Sequence, residues 1–64
     1  MKTVYLVYED SHGLVGVYGT KDGARDTVEH ISVVQYGMRD DSEIWTGDRG
    51  NELCYYDEEE VIYD

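Results

Sequence analysis

The sequence contains no proline, one cysteine and no long apolar run. None of its apolar stretches approaches the roughly 20 residues that a membrane-spanning helix needs. Cys54 alone can form no internal disulfide and cannot by itself supply a zinc site. At 64 residues the chain should form a single domain, residues 1–64, with little room for both a core and a deep enclosed active site.

Basic residues are also scarce, since five lysines and arginines stand against fifteen acids, for a formal charge of -10. This charge repels phosphate backbones and anionic lipid, so we expect no direct nucleic-acid or membrane binding and a positively charged partner. Residues 1–38 hold five acids and three bases, whereas residues 39–64 hold ten acids and two arginines. The N-terminus alternates like a strand rather than a secretory signal, which predicts a cytoplasmic protein.

Residues that favour β-sheets are abundant. Seven tyrosines and eight valines indicate a folded sheet rather than disorder. Residues 3–9 and 14–19 are predicted strands, and the polar turn at 10–13 joins them into an antiparallel hairpin. Gly16, inside the second strand, predicts either a bulge or the close approach of another element.

A helix should follow the hairpin. Thr20 is a plausible N-cap, and Ala24, Val28 and Ile31 recur with helical spacing to form a narrow apolar stripe. The run at 33–36 then suggests a further strand, or alternatively in part the end of the helix.

The C-terminal part predicts the rest of the sheet. Strands are expected at 43–46 and 52–56 around a five-residue loop, with an acidic corner at 57–60 and a short last strand at 61–63. The predicted order is β-β-α-β-β-β. The expected fold is therefore α+β, an antiparallel sheet of four to five strands with one short helix packed on one face.

The acidic C-terminal part is the leading candidate for a binding surface. Alternate side chains on a strand lie about 6.6–6.8 Å apart, so carboxylates in such a row can stand in for neighbouring phosphates. Aromatic residues beside the acids are typical of binding anchors. The predicted partner-binding residues are Asp40, Asp41, Glu43, Asp48, Glu52, Asp57, Glu58, Glu59, Glu60, Trp45, Tyr55 and Tyr56.

Catalytic and metal-binding chemistry has weaker support. His12 falls in a predicted turn and His30 near a predicted helix end, and no nucleophile elbow or phosphate-binding loop is present. We therefore predict no catalytic residue and no enzyme activity. Residues 40–43 and 48–52 offer oxygen ligands of the kind that calcium takes, but neither has the ligand order of an EF-hand loop, so no metal or other cofactor is predicted.

Two resemblances bear on fold and function. Residues 3–25, where a strand pair ends in Gly16-Val17-Tyr18 before a helix, resemble small uncharacterised bacterial and phage domains, although Gly23 replaces the usual helix former. The whole chain resembles small acidic phage-encoded host-takeover proteins that mimic DNA, among them the inhibitors of the nucleoid protein HU from SPO1-type phages. The second resemblance implies a basic, HU-like DNA-binding protein of a bacterial host as partner.

These observations predict an acidic DNA-mimic inhibitor that occupies the DNA-binding surface of a nucleoid-associated protein and blocks nucleic-acid binding in the host cytoplasm. The alternative is a small protein-interaction adaptor that pairs through a sheet edge, with the acidic face serving solubility only. A homodimer would enlarge the small core, provided that the acidic regions of the two subunits point apart.

Overall fold

A three-stranded antiparallel sheet and two helices make up the fold in the computed structural model, which describes residues 2–62. In chain order the elements are β1 (Lys2–Glu9), β2 (Gly13–Tyr18), α1 (Lys21–Val34), α2 (Asp41–Ile44) and β3 (Cys54–Val61). The strand order is β2-β1-β3, and α1 contacts all three strands. The α+β class is as predicted, but the prediction of four to five strands is wrong. Neither helix within residues 2–62 has the length and apolar content needed to cross a membrane.

The core lies between the sheet and α1. Side chains alternate along β1, so Tyr5, Val7 and Glu9 face the helix while the residues between them face the other way. Val7 is fully buried in a small cluster, and partly buried aromatic and apolar residues surround that cluster. The buried members are Val7, Ala24, Val28, Cys54 and Tyr56. Only one face of the sheet therefore contributes to the core.

The N-terminal hairpin forms as the sequence indicates. β1 and β2 are antiparallel and joined by the turn at 10–12, with Glu9 opposite Gly13. The register pairs Val7 with Gly16 and Tyr8 with Leu14, which leaves Val15 as an extra residue. The bulge predicted beside Gly16 is thus confirmed.

Helix α1 begins as predicted but ends later. The hydroxyl of Thr20 accepts a hydrogen bond from the third residue after it, at 3.1 Å, as an N-cap should. The predicted strand at 33–36 is wrong, because the helix continues through Val34. Its last turns are held by a contact that no local pattern reveals: buried Ser32 accepts a hydrogen bond from the Asn51 side chain at 3.0 Å.

The predicted strand at 43–46 is also wrong, since α2 takes up its first half and residues 45 and 46 belong to no strand. The carboxylate of Asp40 accepts hydrogen bonds from the Ser42 hydroxyl and the Glu43 amide, at 2.5 and 3.1 Å. These bonds make Asp40 an N-cap and hold the pKa of its carboxyl below the usual range. The Asp40 cap, four residues before Ile44, thus outweighs the strand propensity of Ile44 and its neighbours.

Strand β3 replaces the predicted acidic corner at 57–60 and the separate last strand at 61–63. It runs unbroken because β1 offers eight partners, from Glu9 opposite Cys54 to Lys2 opposite Val61. Residue 63 lies outside the described residues. β2 pairs with β1 only from Tyr5 to Glu9. Residues 2–4 of β1 therefore pair with β3 alone, and this end of the sheet is a two-stranded ribbon.

A buried carboxylate joins the hairpin turn to the end of α1. Glu9 is 2 % exposed, and one of its oxygens accepts hydrogen bonds from the Ser11 amide (3.0 Å), the Ser11 hydroxyl (2.7 Å), the Gln35 amide group (3.0 Å) and the Tyr36 hydroxyl. The other oxygen accepts from the His12 amide at 3.0 Å and contacts the His12 ring. The Tyr36 bond, assisted by Ser11 and His12, holds the pKa of Glu9 well below its usual range although burial opposes this.

We expect Glu9→Gln to lower Tm by more than about 5 °C at pH 7. The NH2 group of glutamine is a donor and would replace a carboxylate oxygen that accepts hydrogen bonds, so the groups that donate to that oxygen would lose their acceptor. The native pKa of Glu9 lies below its unfolded value of about 4.3. Ionised Glu9 therefore stabilises the fold above that pH, and this stabilisation is lost as the pH falls towards the native pKa. Urea unfolding between pH 7 and pH 3 measures both effects.

Asp10→Asn is the control, since it removes an exposed carboxylate one residue away. It should keep the steep acid-side loss of stability that Glu9→Gln reduces. Equal stability of Glu9→Gln and the unaltered protein, or equal pH slopes, would contradict this role for Glu9.

Candidate functional site

The two edges of the sheet differ sharply in charge. Strand β2 carries no charged side chain, whereas β3 carries four consecutive acids at 57–60. Three of these four side chains are exposed and Asp57 is half-buried. The sheet therefore has one uncharged edge and one acidic edge.

Pairing with β1 fixes where each acid of β3 points. Glu58 lies opposite Tyr5, so Glu58 and Glu60 share the face that α1 covers. Asp57 lies opposite Leu6, so Asp57 and Glu59 share the other face. The acids are thus held in a hydrogen-bonded strand and alternate about its edge.

The remaining predicted acids lie on residues 40–52, between α1 and β3. We call these residues the outer segment, because part of it runs along the side of β3 that faces away from β1. The amide of Tyr56 donates to the carbonyl of Arg49 at 3.0 Å, and Gly50 forms a bridge with Tyr55. Five exposed acids belong to this segment, namely Asp40, Asp41, Glu43, Asp48 and Glu52. Together with residues 57–60 we call them the acidic flank.

Acids of the flank that are distant in the sequence line the same surface depressions. Glu43 and Glu52 line the same depression of about 270 Å³. Asp48 and Glu58 line a second cleft of about 450 Å³. Carboxylates that are 9 and 10 residues apart in the chain are therefore neighbours on the surface.

One acid of the flank is paired with a cation. Arg49 contacts Asp57 at 3.3 Å, with both side chains about half exposed. Such an exposed pair contributes at most about 1 kcal/mol. Within residues 2–62, no cation lies within ion-pair distance of Glu58, Glu59 or Glu60. Three adjacent carboxylates of β3 thus remain available to a partner.

The three aromatic residues predicted to bind a partner occupy different environments. Tyr55 is 38 % exposed and stacks on Tyr8, with ring centroids 5.5 Å apart. Trp45 is half-buried. Tyr56 is 2 % exposed and packs edge-on against Tyr5 in the core, so its role is to hold β3 rather than to contact a partner.

A group of cations beside the acids was not anticipated from the sequence. Lys21, Arg25 and Arg49, three of the five basic residues, line the cleft that contains Asp48 and Glu58. The Arg25 guanidinium lies 4.2 Å above the Trp45 ring. The i, i+4 spacing of the first two cations could have indicated a shared helix face, but Arg49 is adjacent only in the fold.

Catalytic and metal-ligating groups are not concentrated at the flank. Within residues 2–62, no three histidine, cysteine, aspartate or glutamate side chains converge as a metal site would require. His12 contacts Glu9, and His30 is exposed on α1. Burial raises the pKa of the Cys54 thiol to about 11, which keeps it protonated at neutral pH.

Comparisons of the chain with models of protein families, with curated proteins and with solved structures found no match. The resemblance to acidic phage host-takeover proteins therefore stays a prediction. What bears on function is the geometry of the acidic flank itself.

Gly50 should be essential for seating the outer segment against β3. Its φ is +133°, and a Cβ there would lie 2.5 Å from the Cys54 carbonyl oxygen and 2.9 Å from the Tyr55 Cα. Both atoms belong to the backbone, so relieving these contacts would require the strand itself to shift. We expect Gly50→Ala to lower the free energy of unfolding by about 2–3 kcal/mol, as measured by urea denaturation.

Gly47→Ala is the matched control in the same loop, because a Cβ at that position meets nothing within 4 Å and its φ is not positive. It should change the free energy of unfolding by less than about 1 kcal/mol. Similar losses for the two variants would show that the loop is not seated in this way.

Proposed function

We propose that this protein is a non-enzymatic inhibitor that presents its acidic flank to the DNA-binding surface of a basic protein and so blocks nucleic-acid binding. The observation that supports this most is the position of residues 57–60 on an edge strand. Eight consecutive pairs with β1 hold these carboxylates in place. A rigid row loses little conformational entropy on binding, unlike the same charges on an unstructured tail.

The spacing of the carboxylates matches the charge density of DNA. An antiparallel strand rises about 3.4 Å per residue, so residues 57–60 carry one formal negative charge per about 3.4 Å. A single strand of B-DNA also carries one phosphate per about 3.4 Å of axis. The charge per unit length along the axis is therefore similar, and on each face of β3 the carboxylates follow one another at about 6.8 Å.

Charge and aromatic contacts would contribute to different stages of binding. A net charge of -10 accelerates the encounter with a basic surface through long-range attraction. Half-buried Trp45 offers amphipathic contact area next to the acids, which slows dissociation. The inhibitor would thus act by competition and would need no catalytic group.

The proposed setting is the cytoplasm of a bacterial host, with an HU-like nucleoid-associated protein as the partner. This choice follows the resemblance to phage host-takeover proteins. A small basic protein that grips the DNA backbone offers the complementary charge that the acidic flank requires.

A second candidate function is an adaptor that pairs with another protein through a sheet edge. The observation that favours it is β2, an uncharged edge strand on which Leu14 is 52 % and Val17 57 % exposed. Such edges accept an added strand through main-chain hydrogen bonds. Binding through β2 would change little with salt, whereas competition through the acidic flank should weaken steeply.

The direct test is displacement of a labelled 30-base-pair duplex from purified bacterial HU, followed by fluorescence anisotropy. We expect the triple variant Glu58→Gln, Glu59→Gln, Glu60→Gln to inhibit about tenfold less well at 0.1 M NaCl, because each lost contact contributes about 0.5 kcal/mol. The unaltered protein should also lose potency as the salt concentration rises.

The control variant Asp10→Asn, Asp26→Asn, Glu29→Gln removes the same charge from exposed positions in the hairpin turn and on α1. It should keep most of the inhibition. Equal losses in the two triple variants would mean that only net charge matters. No displacement of the duplex by the unaltered protein at low salt would reject HU, and salt-insensitive displacement would favour the adaptor.

A further inference from the structure

The face of the sheet opposite α1 is uncovered and largely apolar. Within residues 2–62, α1 is the only helix that contacts the sheet, and it lies on the other face. The register places Lys2, Asp57, Glu59 and Val61 on the uncovered face, and beside them a set of six apolar side chains, three from β1, two from β2 and one from β3. We call this set the open face: Val4, Leu6, Tyr8, Leu14, Val17 and Tyr55.

The open face is large for so small a protein. Leu14 and Val17 are more than half exposed, and the Tyr8–Tyr55 stack lies between β1 and β3. Leu14, Val15, Val17 and Tyr55 are between 38 and 57 % exposed, so a second copy that covered the open face would remove apolar surface from water on both sheets. Contiguous exposed apolar patches often mark an interaction site.

We propose that the open face binds a second copy of this chain, giving a two-fold symmetric dimer of face-to-face sheets. The charges at its two borders favour this occupant. One border is β2, which carries no charge, and the other is β3, which carries the acids. A two-fold axis parallel to the strands places each acidic border over the uncharged border of the other copy.

The alternative two-fold axis, across the strands, would place β3 over β3 and bring two acidic borders together. Like charges in that position would repel, so the chain itself selects between the two arrangements. In the favoured dimer the β1 strands face each other, and Leu6 and Tyr8 of the two copies form the centre of the interface. Asp57 lies at the rim, where Arg49 already pairs with it.

Dimerisation would also arrange two rows of carboxylates. Packed sheets lie about 10 Å apart and neighbouring strands about 4.8 Å apart, so the two β3 backbones would be roughly 14 Å from each other. That separation is similar to the width of the B-DNA major groove, about 12 Å. This consequence rests on the proposed function, whereas the dimer itself does not.

Sedimentation equilibrium at 10–200 µM and 0.15 M NaCl tests the dimer. We expect the unaltered chain to approach twice its mass of 7.4 kDa at the upper concentrations. Val17→Asp places a negative charge on β2 opposite the acidic border of the second copy, so this variant should remain monomeric throughout with an unchanged circular dichroism spectrum. Val34→Asp adds the same charge to a side chain that is 69 % exposed on α1, and it should still dimerise.

Salt distinguishes the two arrangements. With the acidic borders farther apart than the Debye length of about 8 Å, raising NaCl from 0.15 to 0.5 M should strengthen the dimer less than threefold. A tenfold or larger strengthening would indicate that the β3 edges meet. A chain that is monomeric at 200 µM, or a Val17→Asp variant that dimerises normally, would overturn the proposal and leave the open face to a different protein. Since HU inhibition is measured separately, loss of one result does not decide the other.

Discussion

The pairing of β1 with β3 is the constraint on which the rest of the structure depends. Every residue of β1 has a partner on β3, and the alternation of β1 decides which of those partners are buried. Val7 and Tyr56 are opposite each other and both lie in the core. A slip of one residue would expose them and turn every acid of β3 to the opposite face. The apolar contacts at one end of the strand pair therefore determine where the carboxylates lie at the other end.

The chain is long enough to cover only one face of its sheet. Within residues 2–62 the 14-residue helix α1 provides the second layer, the four-residue α2 packs against α1 rather than the sheet, and the buried cluster is correspondingly small. Buried polar contacts also join parts of the chain that are distant in the sequence. The Glu9 carboxylate joins the turn to the end of α1, and Asn51 joins the outer segment to Ser32 and to the Ile44 carbonyl. The fold therefore depends on two buried polar connections as much as on apolar area.

Local signals in the sequence predicted the N-terminal half well. The alternation of residues 3–9, the turn chemistry at 10–13 and the Thr20 cap each act over a few residues and compete with nothing else. The errors at 33–36 and 57–60 have one physical cause, because the outcome there is decided by distant partners. Ser32 meets Asn51, and the four acids meet β1, so propensity and charge pattern alone could not determine either structure.

The candidate site was predicted in its composition but not in its arrangement. The excess of acids after residue 38 is plain from counting, and the structure places those that fall within residues 2–62 on β3 or on the segment beside it. Counting could not show that Tyr56 would be buried, since adjacent tyrosines on a strand must point to opposite faces and their order depends on register. Nor could it bring Arg49 to Lys21 and Arg25, which are more than 20 residues earlier in the chain.

Those three cations bear on how selective an acidic surface can be. A uniformly negative surface attracts any polycation, and specificity requires an element that penalises the wrong partner. The cleft that holds Lys21, Arg25 and Arg49 adjoins Glu58, so a basic surface that extended over both would meet like charges at the cleft. Stacking of Arg25 on Trp45 keeps one of these cations in place. A partner that fits must therefore present its cations to the edge of β3 and keep them away from the three cations of the cleft, or must place an acidic group there.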